Sequence, residues 1–131
     1  MQILQPPGWA RPRGYSNGMA AKGHIVFVAG QIGWDEQCHF QTDDLAGQVR
    51  QALANVLSVL AQAGGRPEHI ARMTWYVLDK RAYLEASRSI GQAYRELMGS
   101  HYPAMTAVQV SALIEDRALV EIEATAVIPE R

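Results

Sequence analysis

Two carboxylates stand inside an apolar run near the end of the chain. In LVEIEATAV, Glu121 and Glu123 alternate with Val120, Ile122 and Ala124. Side chains along a strand change face at every residue, so both glutamates point to one face. A charge in a mostly buried strand is costly unless it is paired or put to use. Two readings stay open on the pattern alone. One is a structural carboxylate at a sheet edge or in an ion pair with lysine or arginine. The other is a general acid/base whose protonation is set by its surroundings.

Gly30-Gln31-Ile32-Gly33-Trp34 follows the first apolar run. Two glycines around a polar residue let backbone N–H groups come close to a ligand, or simply mark a strand exit. Trp34 is either a lid over a cleft or plain core. His101 is a proton carrier or a solvated loop histidine. Cys38 stands beside His39, but adjacency in sequence does not make a nucleophile, which needs a placed base to lower its pKa. No Walker loop, no G-x-G-x-x-G and no H-E-x-x-H occurs. One cysteine and four histidines without ligand spacing supply no expected metal site.

The elements that must position these residues are legible in outline. Residues 1–14 hold three prolines and read as an extended lead-in. HIVFVA (24–29) reads as a buried strand, with Tyr15 to Ala21 expected to pair with it through a turn at Lys22-Gly23. Thr42 to Ala63 carries Leu45, Val49, Ala52, Leu53, Val56 and Leu60 on one helical stripe, capped by Thr42 or Asp43 and stopped at Gly64-Gly65. Arg72 to Leu78 is a strand. Asp79 caps a second helix ending at Gly99, and Met105–Leu113 and Leu119–Ile128 are two further strands. The predicted order is β-β-α-β-α-β-β, an α+β mixed sheet with two helices packed on one face. Ile25 and Phe27 oppose Val26 and Val28, so the bare face is apolar too, which predicts burial against other subunits.

The chain has 131 residues, 48% of them apolar and 19% charged, which fits a single globular domain and not a disordered chain. A formal charge of -1 gives no general attraction to nucleic acid or an anionic membrane. No run approaches the roughly 18 apolar residues of a membrane span. No apolar h-region stands near the start, so a cytoplasmic location is expected.

The segments VAGQIGWD, QVRQALANVLSVLAQAGG, TWYVLD, YPAMTAVQV and VEIEATAV, in this order from Tyr15 to Ile128, together resemble the RidA (YjgF/YER057c/UK114) family. The resemblance implies a chorismate-mutase-like fold and a homotrimer with clefts between subunits. It also implies hydrolysis of a small-molecule enamine or imine to an oxo compound and ammonia, with no cofactor. Glu121 matches the glutamate that orients the attacking water. Tyr15 matches a tyrosine lining the cleft, and Gly30 and Gln31 match a segment whose backbone borders it. Trp34 narrows that cleft. Where the family has an arginine that grips the substrate carboxylate, this chain has Met105, followed by Thr106. Ala107 stands where many members have cysteine. A fork of five donors is replaced by an apolar thioether, so a substrate other than 2-aminoacrylate is expected unless Arg11 or Arg13 reaches in. The competing expectation is a non-catalytic trimer that binds a metabolite or a protein. RNA cleavage, a label carried by family members, is opposed by the near-neutral charge and the lack of a basic stripe.

Overall fold

The computed structural model describes residues 1–130. Six strands and three helices follow in the order β1 (Gln2–Leu4), β2 (Gly18–Ala20), β3 (His24–Ile32), α1 (Leu45–Ala61), β4 (Ile70–Val77), α2 (Lys80–Glu85), α3 (Ser87–Met98), β5 (Ala104–Gln109) and β6 (Val120–Ile128). The main sheet has the order β3-β6-β4-β5. β6 runs antiparallel to both neighbours, and β4 and β5 run parallel.

β6 shows why the sequence alternates as it does. Val120, Ile122, Ala124 and Ala126 are buried against the helices, while Glu121, Glu123, Thr125 and Val127 are half-buried on the other face. The apolar stripe of α1 (Val49, Leu53, Val56, Leu60) packs on that buried face, with Ile90, Tyr94 and Met98 of α3 beside it. Burial of each such side chain is worth about 1.5–3 kcal/mol, so the helix–sheet interface is a principal source of stability. Gln48 lies within the stripe, fully buried. Its Nε2 donates to the carbonyls of Thr42 and Arg117 at 3.1 and 3.0 Å, and its Oε1 accepts from the Leu119 N–H at 2.8 Å. It thereby joins the start of α1 to the entry of β6.

Four sequence expectations are corrected. The segment after Tyr15 pairs with β1, not β3, with Gln2 opposite Ala20. Ser16 draws it to the far edge of the sheet, bridging Ala104 and donating its N–H to the Pro103 carbonyl at 3.0 Å. The lead-in is therefore partly a strand. The cap of α1 is Asp44, whose Oδ2 accepts from the Gly47 N–H at 2.9 Å, while Thr42 Oγ1 accepts from the Asp44 N–H. Finally, the second helix is two segments rather than one. Ala86, at φ -88 and ψ 9, leaves the helical region between α2 and α3, and Leu84 is turned away from the core. Gly64, at φ +78, supplies the left-handed turn after α1 as expected.

The face away from the helices stays uncovered. Ile25 is 55% exposed and Phe27 78% exposed there. Among the described residues, no helix is long and apolar enough to cross a membrane.

Candidate functional site

Register sorts the sequence candidates onto two faces. Glu121 lies opposite Tyr76, and Glu123 opposite Thr74, which also faces Thr106 on β5. Directly paired residues share a face. Glu121, Glu123, Tyr76, Thr74 and Thr106 therefore stand together on the uncovered face. Met105 lies opposite Met73, a core residue, and is half-buried on the helix side. In one chain, Met105 and Glu121 point to opposite sides of the sheet.

On the uncovered face the two glutamates differ. Tyr76 Oη donates to Glu123 Oε1 at 2.7 Å, and that bond to a carboxylate, helped by burial, raises the Tyr76 pKa above its ordinary value. Glu121 makes no ion pair with lysine or arginine among the described residues. It lies against the backbone of Gly30, where a Cβ would come within 2.8 Å of Glu121 Cδ and closer still to Oε2. The glycine is thus a seat for the carboxylate, set at the irregularity between Val28 and Gln31 where β3 changes register on β6. Beside Glu123, a hollow of about 430 Å³ is lined by Phe27, Arg72, Thr74 and Thr125.

On the helix side, Met105 lines a cleft of about 360 Å³ together with Arg13, Trp75, Tyr83, Tyr94 and Arg95. An adjoining pocket of about 290 Å³ shares Arg13, Tyr83 and Met105 and adds Tyr15 and Ala107. Of the two arginines singled out in the lead-in, Arg13 sits with Met105. Arg11 lines a separate hollow with Tyr15 and Tyr102. Burial raises the pKa of Tyr83 and more strongly of Tyr94, so both are neutral donors near neutral pH.

The remaining candidates make local contacts. The Gln31 side chain folds back to the Ala29 carbonyl at 3.1 Å. Gly33 packs on Gln48 of α1. Trp34 rests on Phe40 with ring centroids 5.8 Å apart, and Arg117 lies over the Phe40 ring at 5.2 Å. Asn55 donates to the Ile32 and Trp34 carbonyls, fixing this strand exit on α1. His101 is half-buried and tied to the sheet, with its Nε2 bonded to the Ile70 carbonyl at 2.7 Å. Cys38 is exposed at a loop tip with φ +63. Among the described residues, no group of three or more His, Cys, Asp or Glu side chains is placed to hold a metal ion.

Sequence reasoning passed over three features. Gly14-Tyr15-Ser16-Asn17-Gly18 satisfies the G-x-S-x-G pattern of a nucleophile elbow. Ser16 is buried, its Oγ donates to the Tyr102 carbonyl and a strand follows it, so it is a structural serine. Arg95 joins the Met105 cleft from α3, one turn after Gly91. Gln48 was readable as a polar residue set within an apolar stripe.

Comparison with other proteins gives a consistent picture. A family model described as Endoribonuclease L-PSP matches residues 9–128. A RutC family protein of Pyrococcus horikoshii is 34% identical over 113 residues, 86% of this chain and 85% of that protein. A 2-iminobutanoate/2-iminopropanoate deaminase of Salmonella typhimurium is 32% identical over 108 residues, 80% of each. Among solved structures, the Rid family protein YyfB of Yersinia pestis superposes with a TM-score of 0.85 at 30% identity, covering 97% of this chain and 98% of that one. TdcF of Escherichia coli with bound serine gives 0.69 at 30% identity, covering 98% and 99%.

Proposed function

This chain belongs to the endoribonuclease L-PSP family, which includes the RidA and YjgF proteins and reactive-intermediate deaminases, and from that membership we propose that it hydrolyses the C=N bond of a small imine. The observation that carries the reading is Glu121. It is a half-buried carboxylate seated on Gly30 with no cationic partner among the described residues. A carboxylate without a cationic partner keeps its oxygens open to a water or a substrate.

In the proposed reaction an enamine first tautomerises to its imine. Water attacks the C=N carbon while the Glu121 carboxylate takes a proton from it, forming a new C–O bond. That proton passes to the nitrogen to give the carbinolamine, whose hydroxyl then gives up its own proton through Glu121 to the same nitrogen as the C–N bond breaks, so that ammonia leaves an oxo compound behind. The step consumes one water and needs no redox partner. Placement of a general base of this kind is worth about 10²- to 10⁴-fold in rate. With Met105 in the place of the family arginine, the substrate is not 2-aminoacrylate but a larger or more apolar imine.

The working unit in this reading is a homotrimer. The uncovered sheet face with Ile25 and Phe27 supports association, because an apolar face of this kind is costly in water. Association also supplies what one chain lacks, since Met105 and Glu121 lie on opposite faces. That separation equally favours a second reading, in which the trimer binds a metabolite without turning it over.

A deaminase assay decides between the two. Imino acids are generated in situ with an amino-acid oxidase, and semicarbazide traps whatever escapes hydrolysis. The expected result is faster loss of imine with the purified protein, and loss of that acceleration in Glu121→Gln with the oligomer intact. Full activity in the variant removes Glu121 from the mechanism, and no activity on any imine leaves the binding reading.

A further inference from the structure

The Met105 cleft lies on the helix side of β5. Its floor and walls are aromatic. The rings of Tyr94 and Tyr102 stack at 5.1 Å and 11°, and Tyr83 meets Trp75 edge-on at 6.4 Å and 76°. The thioether of Met105 closes one side. A cleft of this size and lining takes a ring rather than a three-carbon chain.

The cleft's charge is of one sign. Arg13 and Arg95 both line it, neither makes an ion pair among the described residues, and no carboxylate joins them in the lining. Each arginine is held near the cleft by something specific. Ser16, three residues after Arg13, is tied to Tyr102 and Pro103 by its Oγ and N–H. Gly91 leaves the space beside the Arg95 guanidinium open, since a Cβ there would lie 3.2 Å from Nη1. Glycine inside a helix weakens it, so this room for Arg95 comes at the expense of α3. The indole Nε1–H of Trp75, which borders the cleft, is buried and has no acceptor among the described residues.

We propose that this cleft binds the carboxylate of an aromatic 2-imino or 2-oxo acid, with Arg13 and Arg95 gripping the carboxylate and the tyrosine walls holding the ring. Naming the bound acid as substrate rests on the deaminase reading; the binding itself does not. Two arginines from outside β5 then replace the grip that a residue at Met105 does not supply. Arginine matches a carboxylate with paired donors, and Met105 becomes a surface for the ring.

Phenylpyruvate, the stable oxo counterpart of the imine made from phenylalanine, is the probe. Its affinity is measured by calorimetry for the full chain and for Arg13→Gln, Arg95→Gln, the double variant and the corresponding lysine variants. Both arginines are exposed and unpaired, so the variants are expected to fold, and near-ultraviolet circular dichroism checks that they do. The expected result is a several-fold loss in each glutamine variant and at least a 10-fold loss in the double variant. Partial recovery with lysine and much weaker binding of pyruvate are also expected. Double-variant binding equal to the unaltered protein, equal binding of methyl phenylpyruvate, or no binding of phenylpyruvate overturns the proposal. Turnover of the imine of phenylalanine is followed in parallel. Arginine-dependent binding without turnover leaves the cleft standing and removes the deaminase reading. Turnover with an unchanged KM in the double variant does the reverse.

Discussion

Replacing Gly30 by alanine separates the position of the Glu121 carboxylate from the stability of the fold. A Cβ at Gly30 would stand 2.8 Å from Glu121 Cδ and 2.9 Å from Cγ. Ordinary carbon contacts begin near 3.5 Å, so the carboxyl carbon must retreat by roughly 0.7 Å and Oε2, which stands closer, by more than about 1 Å. The obstacle is the far end of a flexible side chain and not backbone, and Gly30 does not have a left-handed φ. The retreat is therefore a rotamer adjustment costing about 0.5–1.5 kcal/mol. It is offset in part by about 0.4–1 kcal/mol from the stiffer unfolded chain. Gly30→Ala is expected to shift the urea midpoint little. A displacement of about 1 Å in a catalytic group is worth about 10²-fold in rate, so kcat/KM for imine hydrolysis should fall by that factor. The assay is the semicarbazide trap run beside a urea titration of the same preparation. Unchanged kcat/KM in a folded Gly30→Ala protein would refute the argument that Glu121 works from the seat this glycine provides.

Other perturbations probe separate links. Gln48→Leu removes three hydrogen bonds at a fully buried position and strands the Leu119 N–H, so a loss of about 2–4 kcal/mol is expected from urea unfolding. Met105→Arg restores a cationic donor where the resembling family carries one and is expected to raise kcat/KM for 2-aminoacrylate at least ~10-fold, converting about 1.4 kcal/mol of transition-state binding. Asp35 accepts from the backbone N–H groups of His39 and Gln37, and these bonds, His39 first, hold its pKa below the ordinary value. Its contribution is present above the unfolded carboxylate pKa and is lost as pH falls through the depressed folded value. Asp35→Asn should therefore flatten the acid limb of stability below about pH 4, read by thermal unfolding against pH.

The strand of Glu121 and Glu123 was legible because alternation is a property of one segment: its apolar residues are fixed to one face and its carboxylates to the other. Neighbour order was not legible in the same way. Periodicity says which face Ile122 takes and nothing about which strands flank it, so the insertion of β6 between β3 and β4 had to come from the structure. The cap of α1 shows a subtler limit. Thr42, Asp43 and Asp44 are all good capping residues, and Asp44 is the one whose oxygen reaches the Gly47 N–H. The same limit hid the cleft. Arg95 comes from α3 and Arg13 from the lead-in, and the bonds of Ser16 to Tyr102 and Pro103 hold the lead-in at the edge of β5 beside it.

The place of β6 also bears on how the chain folds. β6, the last of the described strands, is an inner one, and it pairs His24 with Ile128 far along the chain. Until it arrives, β3 and β4 have no hydrogen-bonded connection, and α1 has only part of the surface it covers. A chain emerging from a ribosome can form its helices early, yet must keep an unfilled slot between two apolar strands until the residues of β6 have been made. Such distant closure slows folding and leaves strand edges open to other chains in the meantime. Crowded synthesis is therefore a condition that exposes this architecture to misassembly.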